Sequence, residues 1–291
     1  DTAMPDTAMP DTAMPDTAET DTGPADSGSH PLPVDFRDAG PEPFSTSEAT
    51  FTASSGCALD YYLATPTTGF STLVVLLHGL ERANEQQRLA ADHLASYGVA
   101  VVAPTSCQAS VLDLDQAQNG LDAIELAHSL TSGPILYAGH SAGGLAAFYA
   151  ASQDATALAF FGLDPTEWNN IATNAASQVT VPTFAAIGSS GVCNVDNNFV
   201  PILESLGGRA LRITEADHCD FENPTDWVCT LACGTESNDQ FSDDEIYATA
   251  LGLMASFVAW QAGIEPSGES WWIAGGDGYD ALLAEGATSE P

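Results

Sequence analysis

From residue 71 to residue 216 the chain repeats one alternation: a short, almost unbroken apolar run, then a segment with helical spacing or a polar loop. The runs are 71–79 (STLVVLLHG), 98–105, 133–139, 155–164 (ATALAFFGLD), 181–190 and 208–216. A strand with no polar side has to be buried on both faces, which is the condition of a parallel sheet covered by helices. Between the runs, 81–98 places Leu89, Leu94 and Tyr97 on a helical period and stops at Gly98, while 115–131 and 141–152 read as two further helices. The longest predicted helix, 243–263, is apolar on one face. Parallel strands require crossovers of this kind, so the pattern predicts an α/β fold with a mostly parallel central sheet and helices on both faces. Ahead of it, 48–66 reads as a two-stranded lead-in around Ser-Ser-Gly.

The flanks differ. Residues 1–43 carry DTAMP three times and ten of the 40 acids against one arginine, with no apolar period. Such a segment buries too little surface to offset its ordering, and it reads as a disordered acidic tether. Residues 44–263 form the predicted α/β domain, and 264–291 an appendage held by Trp271 and Trp272 or a second tail. The chain opens on Asp1 with no apolar leader, as expected of a mature form whose targeting segment is gone.

Only five residues are basic, all arginine, and the formal net charge is −35. A nucleic-acid partner needs a basic face, and anionic lipid needs clustered Lys or Arg, so both are excluded. Six cysteines, with only Cys229 and Cys233 at CxxxC spacing, fit disulfides better than a zinc site. Six cysteines allow about 15 pairings. A bridge from Cys193 to Cys219, or from Cys193 to Cys229, would stiffen the loop that carries His218. Together with the tether, the cysteines predict an extracellular or surface-tethered protein. The acidic stretches 113–115 and 238–245 fit no calcium-loop spacing and read as solvated surface.

The chemistry concentrates in Gly139-His140-Ser141-Ala142-Gly143, directly after a strand and directly before a helix. A serine hydroxyl becomes a nucleophile when a tight strand-to-helix turn lifts Oγ above the sheet edge, and glycines two before and two after make room for that turn. A serine needs a base, and imidazole suits proton transfer near neutral pH; only His218 stands after the last strand. His30 lies in the tether, His93 and His128 in helices, and His78 and His140 at strand ends, where they shape local hydrogen bonding. Two aspartates compete to orient the base: Asp164, which ends one strand ahead of Pro165, and Asp196, in the loop after the next. Either is also a plausible turn cap. Asp217 is too close to His218 in sequence for the task. Ala142 supplies one oxyanion amide. Trp168 reads as a pocket wall or as packing.

On these residues, over roughly 48–262, the chain resembles the α/β-hydrolase superfamily. GHSAGG with an acid at the end of the next strand is most similar to its chlorophyllase, platelet-activating-factor acetylhydrolase and bacterial cutinase-like branch. That resemblance implies an α/β-hydrolase fold and a serine esterase with Ser141, His218 and Asp164 as its triad, the base being the histidine after the last strand. It assigns the second oxyanion amide to Leu80, after His78-Gly79, where the cutinase-like group carries tyrosine or phenylalanine. It implies no metal or organic cofactor, a monomer, and a small-molecule or polymeric neutral ester as substrate: short acyl esters, lipids or polyesters. A lipase or acyltransferase would use the same three residues. The competing expectation from another class is a surface binding module with a relic triad.

Overall fold

A computed structural model of the protein describes residues 34–234 and 239–291. The strands are β1 (Phe44–Thr52), β2 (Ala58–Pro66), β3 (Leu73–Leu77), β4 (Ala100–Pro104), β5 (Ala109–Ser110), β6 (Asp113–Leu114), β7 (Ile135–His140), β8 (Ala157–Leu163), β9 (Thr183–Ile187), β10 (Arg209–Ile213) and β11 (Thr288–Ser289). The helices are α1 (Arg88–Ala95), α2 (Gln116–Leu130), α3 (Ala142–Gln153), α4 (Ile171–Ala175), α5 (Val200–Ser205), α6 (Trp227–Cys233), α7 (Asp243–Gln261) and α8 (Asp277–Glu285). Nine strands form one sheet in the order β1-β2-β4-β3-β7-β8-β9-β10-β11. The six from β4 to β10 run parallel, while β1, β2 and β11 pair antiparallel at the edges. β5 and β6 make a separate two-stranded hairpin.

Every residue of β3, β4 and β7 is buried, as their unbroken apolar text requires. Val74 and Leu76 of β3 enter one core with α1 and α7. Leu73, Val75 and Leu77 enter the other with α2 and α3. The chain is thus an α/β protein whose mixed sheet is clad on both faces.

Three expectations need correction. Most of the predicted tether lies outside the described residues, but 34–43 does not: Phe36 is fully buried, 5.2 Å from the Tyr97 ring and 5.5 Å from that of Trp271. One large apolar ring draws the segment into the core. Leu89 is exposed, because a 3-10 turn over Asn84–Gln87 delays the helix start and shifts its phase, leaving Ala90, Ala91, Leu94 and Ala95 facing inward. α7 is buried almost all round instead of on one face. Residues 264–291 fold over its outer side, with Trp272 buried and its indole Nε1 donating to Ser256 Oγ at 3.1 Å. That stretch also adds β11 to the sheet.

The acidic stretches act at helix starts. Asp115 accepts from the Gln118 amide at 3.0 Å ahead of α2, and Ser242 and Glu245 cap α7 reciprocally, with Asp243 and Asp244 in its first turn. All five arginines are engaged: Arg37 with Asp35 and Glu285, Arg82 with Glu222 and Asp226, Arg88 with Glu48, Arg209 with Glu290, and Arg212 with the Gly188 carbonyl.

The cysteines form three disulfides, Cys57–Cys107, Cys193–Cys233 and Cys219–Cys229. Neither pairing expected for Cys193 occurs. Both rested on the histidine loop alone, whereas Cys193 reaches past it to the end of α6. Sγ atoms of Cys219, Cys229 and Cys233 lie within 4.8 Å of one another, yet each is already bonded to another sulfur. Three disulfides suit an oxidising, extracytoplasmic compartment. Among the described residues no helix is long and apolar enough to cross a membrane.

Candidate active site

The chain leaves β3 for β4 on one side and later returns for β7 on the other, so the strand order switches between β3 and β7. Loops diverge from such a point and leave a crevice at the carboxyl ends of the strands. His78, Gly79 and Leu80 follow β3, and Ser141 follows β7, at that crevice.

Ser141 adopts φ 56° and ψ −124°, a region costly to a residue with a side chain. Its amide donates to the Leu163 carbonyl at 3.0 Å, and its own carbonyl accepts from Thr166 at 3.3 Å. The flanking glycines make this turn fit. A Cβ on Gly143 would lie 2.2 Å from the His78 carbonyl oxygen, and one on Gly139 would lie 2.4 Å from that of Gly143. Both backbones pass too close for any side chain, so the strain at Ser141 is held in place from both sides.

His218 stands on a 3-10 turn, His218–Phe221, whose start is capped by Asp217 accepting from the Cys219 amide at 2.7 Å. Its Nε2 is 2.8 Å from Ser141 Oγ, and its Nδ1 is 2.6 Å from Asp164 Oδ2. An ionised Asp164 only accepts, so Nδ1 carries the proton and Nε2 offers its lone pair to the serine hydroxyl. All three residues are buried. Asp164 also accepts from the Gly188 amide at 3.0 Å and from Asn194 Nδ2 at 3.1 Å, which leaves its carboxylate fully bonded. Asp196 sits exposed in the 189–199 loop, and the structure brings Asp164, not Asp196, to the histidine.

His78 and His140 do shape local hydrogen bonding at the strand ends, as expected, whereas Glu222, Arg82 and Asn194 escaped sequence reasoning. His140 donates from Nε2 to the His218 carbonyl at 2.9 Å, fixing the backbone at His218. Its ring is fully buried, which holds its pKa well below the ordinary histidine range and keeps it neutral. His140 Nδ1 lies 3.7 Å from Glu222, a buried carboxylate that Arg82 Nε holds at 2.7 Å. His78 is pushed down to about 4 by burial; its Nδ1 donates to Gly79 and its Nε2 accepts from the Ser106 amide, at 2.8 and 2.9 Å. Asn194 fixes the acid while its own Oδ1 accepts from the Gly191 amide at 2.8 Å. His93 is satisfied by the Phe36 carbonyl and His128 by Asp154. His30 lies outside the described residues.

α6 is tied covalently to both loops: Cys229 to Cys219, next to His218, and Cys233 to Cys193, next to Asn194. The result is a cavity of about 330 Å³ above Ser141. Leu80, Ala142 and Trp168 all line it, so the indole is a wall and not core packing. Leu114, Val192, Val195 and Ala232 add apolar lining, and Glu81, Arg82, Gln116 and Glu222 also reach the wall.

Asp220, on the same turn as His218, is desolvated, and its carboxyl rises from 3.8 to about 7. The unfolded chain ionises this group first, so folding loses stability as pH rises between those two values. Asp220→Asn is expected to leave the melting temperature unchanged at pH 4 and to raise it at pH 8. Thermal melts at the two pH values check this, and equal shifts at both would refute it.

No family model matches the chain, and no curated protein is detectably similar to it.

Proposed function

We propose that the chain is a serine carboxylic-ester hydrolase with an α/β-hydrolase fold, secreted or tethered at the cell surface. The observation that carries this is the unbroken relay from Ser141 Oγ through His218 to Asp164, at 2.8 and 2.6 Å, beneath a cavity that admits a substrate. Ser141 attacks the ester carbonyl while His218 Nε2 takes its proton, and Asp164 stabilises the resulting imidazolium. The amides of Leu80 and Ala142 serve the tetrahedral oxyanion. His218 then protonates the leaving alcohol, and water enters by the reverse path to release the acid and restore Ser141.

Neutral esters are the favoured substrates. The cavity wall is apolar, its one guanidinium, Arg82, is engaged by Glu222 and Asp226, and the net charge of −35 repels anions. A p-nitrophenyl ester series from acetate to palmitate is expected to show turnover, and a fluorophosphonate probe to label Ser141 alone. A folded protein that neither turns over any member nor takes the label refutes the reading and leaves a relic binding module in its place.

A further inference from the structure

The most exposed apolar side chains gather at one place on this molecule. Among the described residues the five most exposed large ones are Leu112 (94%), Val192 (85%), Leu231 (79%), Trp227 (74%) and Val111 (68%). Each belongs to a segment that also lines the cavity: the β5–β6 hairpin through Leu114, the 189–199 loop through Val192 and Val195, and α6 through Cys229, Ala232 and Cys233. Trp168, half exposed, stands at the same mouth. Among the described residues, large apolar side chains away from these segments and Trp168 reach no more than 47% exposure, at Leu89.

Local rules are broken at each of these places. The two-residue turn joining β5 to β6 is Val111-Leu112, where hairpins ordinarily place Asn-Gly or Asp-Gly. The turn is nonetheless fixed, with the Ser110 hydroxyl and the Val111 amide both donating to Glu81 at 2.8 Å. Trp227 and Leu231 are four residues apart on α6, so they share one helix face, and that face looks outward while its cysteines look in. Val195 holds φ 49°, a left-handed conformation that a β-branched residue adopts only under constraint. Apolar tips held outward by bonded, strained or covalently tied backbone are a built surface.

We infer that this rim docks the enzyme onto a neutral lipid-ester surface, an acylglycerol droplet, and so delivers the substrate of the site to Ser141; the inference rests on the esterase reading above. Charge selects neutrality: all five arginines are engaged, there is no lysine, and the net charge is −35, so an anionic surface repels the protein. Shape suits a fluid, since single tips as exposed as Leu112 can sink between acyl chains. Two tryptophans at the rim suit a boundary with one apolar and one wet side.

The test is flotation with a trioctanoin emulsion, using Ser141→Ala so that the droplets are not consumed. That protein is expected in the floating layer. Adding Leu112→Ser, Trp227→Ser and Leu231→Ser should reduce the floated fraction by about tenfold, because partition scales with the apolar area inserted. The same three substitutions with Ser141 intact should keep hydrolysis of soluble p-nitrophenyl acetate within about twofold, since none of these residues lines the cavity. If the triple variant does not fold, Leu112→Ser alone, at a solvated hairpin tip, should still give a partial loss. Equal flotation of parent and variants overturns the inference. So does equal binding to phosphatidylglycerol vesicles, or binding to a polyester film without binding to droplets. Flotation of Ser141→Ala through the rim, with no ester turned over by the protein that keeps Ser141, would refute the esterase reading and leave the surface standing.

Discussion

Ser141→Ala is expected to lower kcat/KM on p-nitrophenyl butyrate by about 10⁵- to 10⁶-fold, roughly 7–8 kcal/mol of transition-state stabilisation. The whole loss should fall on kcat, because the hydroxyl acts after the ester is bound and the apolar cavity stays as it was. Backbone strain adds a second arm. Ser141 sits at φ 56°, ψ −124°, and alanine inherits that strain while glycine escapes it. Ser141→Gly should therefore be as inactive as Ser141→Ala but more stable by about 1 kcal/mol, after the entropic cost of glycine is deducted. Kinetics and thermal melts on the two variants check both arms. Residual activity above about 1% in either variant would remove the serine from the centre of the mechanism.

Asp164→Asn carries the second large effect, a loss of about 10⁴-fold in kcat with the fold retained. With its oxygen in the Oδ1 position the carboxamide still accepts from the Gly188 amide, now at 3.0 Å, and from Asn194 Nδ2, now 3.3 Å from Oδ1, while the 3.1 Å bond from Asn194 to Oδ2 is lost. Its NH₂ then points at His218 Nδ1 and forces the imidazole proton onto Nε2. In that tautomer the histidine faces Ser141 with a donor and cannot take its proton. Asp196→Asn, in an exposed loop, should stay within about twofold of the parent. The reverse result, a collapse in Asp196→Asn with Asp164→Asn active, would reassign the acid.

The parallel core was legible because it depends on local text. An unbroken run such as residues 73–77 has one way to be buried, and Gly139-His140-Ser141-Ala142-Gly143 encodes its own turn through two close backbone approaches. What was not legible depends on segments that meet only after folding. Glu222 looks like any acid in a polar loop until Arg82, 140 residues earlier, is placed against it. Disulfide partners were open for the same reason, since α6, which carries two of the six cysteines, is too short to announce itself by periodicity. The phase of α1 failed because a 3-10 turn has a different period from the helix it precedes. Residues 34–43 failed because one buried ring, Phe36, outweighs nine neighbours of solvating composition.

The arginines carry a consequence for how long such a protein lasts outside a cell. Trypsin-like proteases cut after lysine or arginine and need several residues in extended, accessible form around the bond. This sequence offers them five bonds in 291 residues, each beside a guanidinium already engaged, two within β10 and one at the first residue of α1. With no lysine in the sequence and every arginine tied down, the folded protein offers trypsin-like proteases almost nothing to hold.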